Sequence, residues 1–88
     1  MQITYIVYTT GFAKSNSYSN QPTVPNVGTF IRLRPSGVTV SNQVRSVRVS
    51  PGSDRWVEVF ILLSSSDEMK YFDNDVLWSN YPVADLPL

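Results

Sequence analysis

The feature that most constrains the fold is the segment 56–63, WVEVFILL, because a strand built from it is apolar on both faces. Side chains alternate between the two sides of a strand. One side carries Val57, Val59, Ile61 and Leu63, and the other carries Trp56, Phe60 and Leu62, with Glu58 as the exception. Two apolar faces need two covers, since a bare apolar face promotes aggregation. The domain core is one cover; the long loop, the C-terminal segment or a second subunit is the other.

The stretch before this strand predicts a β-hairpin. Pro51 and Gly52 suit the two central positions of a type II turn. Such a turn would pair segment 44–49 with the apolar strand as a hairpin. The valines change phase between Val44 and Val47, so an unbroken strand would turn one of them away from the core. We therefore expect a β-bulge or small turn near Arg45 and Ser46, which would curl the sheet.

Two further segments have β patterning. Residues 3–9 are β-branched or aromatic without a breaker, and both of their faces are partly apolar, which indicates an interior strand. In 29–34, Ile31 and Leu33 alternate with Phe30, Arg32 and Arg34. The fold class predicted is mainly β, a small antiparallel barrel or curled sandwich of about five strands with room for one short C-terminal helix; an α+β fold is the alternative.

The remaining segments are loops and one ambiguous element. Residues 10–28, rich in Ser, Asn, Pro and Gly, predict a long loop or mobile arm, and 80–88 predict an extended tail. Ser65 and Glu68 fit a helix capping box, and Met69, Phe72, Val76 and Leu77 fall near one face at helical spacing. A short helix is favoured over 67–78, with a hairpin around Asp73 and Asp75 as the alternative.

Length and composition indicate one β-rich domain over 1–88 and disfavour most catalytic classes. The chain contains neither Cys nor His, which removes thiolate and imidazole metal ligands and the commonest general base. No motif places a second carboxylate beside Glu58, and residues 73–75 lack the Gly and Glu of a calcium loop. We expect a non-enzyme with no catalytic residue, no metal and no cofactor. No apolar run is long enough to span a bilayer, so no membrane partner is expected, and nothing indicates a compartment.

Charge is distributed unevenly along the chain. Residues 1–53 carry five basic residues and no acid, whereas 54–88 carry seven acids and two basic residues. The predicted anion contacts are Arg32, Arg34, Arg45, Arg48 and, as a stacking platform, Phe30. Arginine with an aromatic ring is the combination used for phosphate and single-stranded nucleic acid, although four arginines in a neutral chain fall short of the usual basic footprint.

Aromatic and apolar residues outside the predicted core suggest a second kind of surface. The predicted partner contacts are Trp56, Phe60, Leu62, Trp78 and Tyr81. Uncharged Ser, Thr, Asn and Gln outnumber the charged residues, which is typical of structural or surface β proteins, such as a small virion or mobile-element component. The function predicted is a non-enzymatic interaction or self-assembly module that acts through protein–protein surfaces, as a homo-oligomer or with another protein. The alternative is an anionic-ligand or nucleic-acid binding module that uses the arginines.

Overall fold

A computed structural model describes residues 1–49 and 56–87, which form a six-stranded sheet with one short helix. The strands are β1 Gln2–Thr9, β2 Phe12–Tyr18, β3 Phe30–Leu33, β4 Val40–Val49, β5 Trp56–Leu62 and β6 Ser79–Asn80. A 3-10 turn at Ser66–Glu68 leads into helix α1, Met69–Asp73. Two more 3-10 turns lie at Pro35–Gly37 and Val83–Asp85. The prediction of a mainly β fold with one short helix is confirmed.

The sheet is open and mixed. Its strand order is β3-β4-β5-β1-β2-β6, and it is not closed into a barrel. Four of the pairings are antiparallel, and β1 pairs with β5 in parallel. The two most apolar strands therefore lie side by side in the centre, where both faces of each strand can be covered. β3 and β6 are the two end strands, with four strands between them, and they do not pair with each other.

The hairpin predicted around the apolar strand is present, and so is its bulge. β4 and β5 pair antiparallel, with Val44 opposite Ile61 and Ser46 opposite Phe60, so Arg45 is the extra residue. This insertion lets Val44 and Val47 both reach the same core cluster. The predicted Pro51–Gly52 turn lies outside the described residues.

The prediction of a loop over 10–28 is wrong for its first part, because β2 occupies Phe12–Tyr18. Thr9 pairs with Phe12, so Thr10 and Gly11 form a two-residue connection in which Gly11 adopts φ +79°. β2 lacks apolar alternation and is held instead by its ladder with β1. Among the remaining residues, Gln21 N–H donates to the Met1 carbonyl and Gly28 N–H donates to the Val44 carbonyl, both at 2.9 Å.

The short helix forms as predicted, but it is shorter than the apolar pattern indicates. The Ser65 hydroxyl accepts a hydrogen bond from Asp67 N–H, and Glu68 Oε1 accepts one from Ser64 N–H. In the predicted capping box the donors would be Glu68 N–H and Ser65 N–H, so each donor is shifted by one residue. Because α1 ends at Asp73, Val76 and Leu77 do not join Met69 and Phe72 in the core. They are 96% and 68% exposed.

The two faces of the sheet have different covers. On the first, which we call the helix face, Met69 and Phe72 of α1 pack in one cluster with residues such as Ile3, Val59 and Ile61. On the second, the tail face, Phe60 and Ile6 pack with Leu86. The predicted extended tail thus contains the last residue of β6 and a 3-10 turn, and it is the chain's own cover for the second apolar face of β5.

Candidate interaction surface

The C-terminal segment, residues 81–87, is anchored on the tail face through Tyr81. Its backbone N–H donates to the Ala13 carbonyl at 3.0 Å. Its ring meets the Phe60 ring edge-on, with centroids 6.2 Å apart. Leu86 completes the cover next to Ala13. Phe60 is consequently fully buried although it lies on the outer side of the most apolar strand.

Tyr81 also closes a polar triangle with Arg48 and Glu58, which face each other across β4 and β5. Arg48 Nε donates to Glu58 Oε1 at 2.8 Å, and Arg48 Nη2 donates to the Tyr81 hydroxyl at 3.0 Å. That hydroxyl donates to Glu58 Oε2 at 3.0 Å. Partial burial, and then the bond to Glu58, raises the pKa of Tyr81. The bond to Glu58 likewise raises the pKa of Arg48.

The cover extends over only part of the tail face. One row of residues on this face crosses the sheet through successive strand pairs. The row is Ala13, Tyr8, Leu62, Gln43 and Phe30. Ala13, at one end of the row, is 6% exposed, whereas Leu62 in the middle is 36% exposed and Phe30 at the other end is 64% exposed. The part of the tail face formed by β3, residues 40–45 of β4 and the end of β5 is therefore left without the C-terminal segment over it.

This uncovered part presents apolar and cationic side chains together. Phe30, Arg45 and Leu62 line one groove of about 170 Å³. Arg32 lies on the same face of β3 as Phe30, two residues along an edge strand, and is exposed. We call these four residues, Phe30, Arg32, Arg45 and Leu62, the arginine–aromatic patch. The described residues form no salt bridge with Arg32 or Arg45.

Asn42 also borders the groove and is 2% exposed. Its Oδ1 accepts from the Ser64 N–H at 2.8 Å and from the Ser64 hydroxyl at 2.7 Å. Its Nδ2 has no hydrogen-bond partner among the described residues. These bonds hold the end of β5 against β4, so Leu62 is presented from a fixed backbone.

The predicted anion contacts separate into two groups. Arg45 and Phe30 line the same groove, and Arg32 is close to them in the strand register. Arg34 is exposed just before the 3-10 turn Pro35–Gly37. Arg48 lies elsewhere, since its guanidinium pairs with Glu58 and stands 5.1 Å from the Phe60 ring centroid.

The predicted partner contacts also separate. Phe60 is fully buried, and Trp78 is 5% exposed, with its ring edge-on to Phe72 at 4.7 Å. Tyr81 is half-buried in the polar triangle. Trp56 and Leu62 remain exposed, by 46% and 36%. The side chains of Phe60 and Trp78 therefore have their neighbours within their own chain.

Sequence reasoning missed the exposed pair Val76 and Leu77 as a surface feature. Helical spacing assigned them to the core, but the run Asp73-Asn74-Asp75 contains residues that favour turns. In the structure Asp75 Oδ1 accepts from Leu77 N–H at 3.0 Å, and Asp75 Oδ2 accepts from Ser36 N–H at 2.9 Å. These two bonds lower the pKa of Asp75. The turn signal at 73–75 could have revealed the end of the helix.

A second groove, of about 460 Å³, lies where the β1–β2 turn meets α1. Its lining residues are Thr9, Thr10, Phe12, Ser66, Asp67, Met69, Lys70 and Asp73. Carboxylates and an ammonium group alternate along it, and Asp73 is paired with Lys14 at 3.2 Å. It therefore lacks the single sign of charge that distinguishes the arginine–aromatic patch.

Two general features of the described part of the chain bear on function. Residues 1–49 and 56–87 contain no group of three or more His, Cys, Asp or Glu side chains placed to hold a metal ion. Among their helices, none has the length and apolar character needed to cross a membrane.

Comparison of the chain with protein-family models, with curated proteins and with solved structures finds no match.

Proposed function

We propose that the protein is a non-enzymatic interaction module that binds a protein partner through the arginine–aromatic patch. The observation that carries this proposal is the partial cover of the tail face. The C-terminal segment buries Phe60 completely, while Phe30 and Leu62 on the same face are left 64% and 36% exposed. Exposed apolar side chains grouped on a sheet face are typical of a contact surface.

The chemistry of the patch favours a protein as the occupant. Aromatic residues and arginine are enriched at protein–protein interfaces, and an aromatic side chain flanked by arginines supplies both apolar area and directed hydrogen bonds. β3 lies at one end of the strand order and carries Phe30 and Arg32. A partner strand could add to this edge and place its own side chains on the patch.

The patch also indicates the charge of its partner. Arg32 and Arg45 are its only charged members, and residues 1–53 contain no acid. A partner segment that combines Asp or Glu with an aliphatic or aromatic residue would complement it, since opposite charges steer association and suppress wrong partners.

Selection of peptides from a displayed random library tests this proposal. We expect binders enriched in Asp and Glu next to a large apolar residue, and we expect Phe30→Ser to abolish their capture. Val83→Ser is the matched control, because Val83 is 41% exposed and lies outside the patch. Recovery of no binder, or of binders indifferent to Phe30→Ser, would overturn the proposal.

Single-stranded nucleic acid is the second candidate partner, since Phe30 and Arg45 line one groove. The pairing of Arg48 with Glu58 weakens it, because one of the four arginines is already neutralised. Titration of a labelled oligonucleotide at low and moderate salt separates the two candidates. Binding that falls steeply with salt and disappears in Arg32→Ala with Arg45→Ala would favour nucleic acid over protein.

A further inference from the structure

Resting on the proposed function, we infer that the partner of the arginine–aromatic patch is a second copy of this chain, which docks through its segment 73–77. The segment, DNDVL, follows α1 and contains the two exposed residues Val76 and Leu77. The contact joins two different surfaces of the molecule, so that copies associate head to tail.

The segment is displayed in a fixed conformation. Asp75 accepts hydrogen bonds from the backbone of Ser36 and of Leu77, and Trp78 is buried directly after it. Val76 is nevertheless 96% exposed and Leu77 68% exposed. An apolar pair held rigidly in solvent loses little conformational entropy when it docks, which favours association.

The charges of the two surfaces are complementary. Asp73 and Asp75 directly precede the exposed pair, whereas the patch carries Arg32 and Arg45. Asp73 is paired with Lys14 within its own chain, but its side chain remains 53% exposed. Contact of one patch with another patch would instead bring four arginines together, and like charges at an interface are unfavourable.

The positions of the two surfaces determine the symmetry of the contact. The patch lies on the tail face, beside the β3 edge. Segment 73–77 leaves α1, whose residues Met69 and Phe72 pack on the helix face. A copy whose patch is occupied therefore still has its own segment 73–77 free. Such a contact is heterologous, and the addition of further copies forms rings or filaments.

Sedimentation velocity over a concentration series tests this inference with two double variants. The patch variant is Arg32→Glu with Arg45→Glu, and the segment variant is Val76→Ser with Leu77→Ser. All four side chains are exposed, so both variants should keep the parent circular dichroism spectrum. We expect the parent to form species larger than dimers and each variant alone to be monomeric.

Mixing the two variants gives the decisive result. The patch variant retains its segment and the segment variant retains its patch, so an equimolar mixture should form a dimer and stop there. A mixture that stays monomeric, or variants that associate like the parent, would overturn the inference. If the parent is monomeric at about millimolar concentration while selected peptides still need Phe30, the inference fails and the proposed function stands. If neither self-association nor peptide binding occurs, both the inference and the proposed function fail.

Discussion

The hydroxyl of Tyr81 donates a hydrogen bond of 3.0 Å to Glu58 Oε2, and this bond joins the C-terminal segment to the central strand β5. Arg48 donates to both residues and completes the triangle. The ring below the hydroxyl lies edge-on to Phe60. Tyr81 thus anchors the cover of the tail face at β4 and β5, and the residues beyond it remain open to a partner.

Loss of the Tyr81 hydroxyl should weaken this anchorage without removing the ring. We expect Tyr81→Phe to lower the free energy of unfolding by about 1–2 kcal/mol, because Glu58 and Arg48 each lose a hydrogen-bond partner. Urea denaturation measures the change. Tyr8→Phe is the matched control, since Tyr8 is half-buried on the same face and its hydroxyl makes no hydrogen bond within the described residues. Equal effects of the two substitutions would contradict the role of the triangle.

Truncation of two neighbours on the tail face should have unequal effects. Phe60→Ala should cost about 3–5 kcal/mol, because Phe60 is fully buried beneath Tyr81. Leu62→Ala should cost about 1 kcal/mol, because Leu62 is already 36% exposed beyond the cover. Thermal or urea unfolding of the two variants checks this order. A larger loss from Leu62→Ala would mean that the patch is covered in solution.

Asn42 should matter more for stability than its partner hydroxyl. Asn42→Ala removes a buried side chain and the nearer acceptor of both Ser64 groups, and should cost about 1–3 kcal/mol, because the Ser64 N–H keeps only its 3.2 Å bond to Glu68 Oε1. Ser64→Ala leaves that N–H bonded to Asn42 and should cost less, about 1 kcal/mol. Urea midpoints of both variants measure the difference. The reverse order would contradict the assignment of Asn42 Oδ1 as the structural acceptor.

The Asp75 carboxylate should make stability depend on acid pH. Its pKa in the folded state is lowered, first by the Ser36 N–H and then by the Leu77 N–H. The stabilisation is therefore present above the unfolded pKa of about 3.9 and is lost as pH falls through the folded value. We expect Asp75→Asn to unfold at lower urea than the parent near neutral pH, with the gap closing towards about pH 2. A gap that is constant with pH would show that the ionised form contributes nothing.

The secondary structure could be predicted from the sequence wherever buried apolar residues determine it. The two faces of β5, the phase change that produces the Arg45 bulge, and the short helix all follow from residues that the core needs. Strand β2 could not be predicted, because its polar residues are held in the sheet by pairing with β1 rather than by burial. The parallel pairing of β1 with β5 is likewise a contact between distant parts of the chain, which no local sequence pattern predicts.

The candidate interaction surface could be predicted only in part from the sequence. The arginines and Phe30 were identified as a group, but which of them remain open depends on where the C-terminal segment lies. That position is set by Tyr81 and Leu86 meeting Phe60 and Ala13, contacts between residues far apart in the chain. The exposure of Val76 and Leu77 depends on a helix that ends at Asp73, four residues before the apolar pattern does.

The most direct test of the central claim, that the arginine–aromatic patch binds a protein segment, is amide hydrogen exchange with and without a saturating selected peptide. The patch predicts slowed exchange along β3 (Phe30–Leu33), at Gln43 and at Leu62. Protection at Thr10, Phe12 and α1 instead, with β3 unchanged, would place the partner in the second groove and contradict the account.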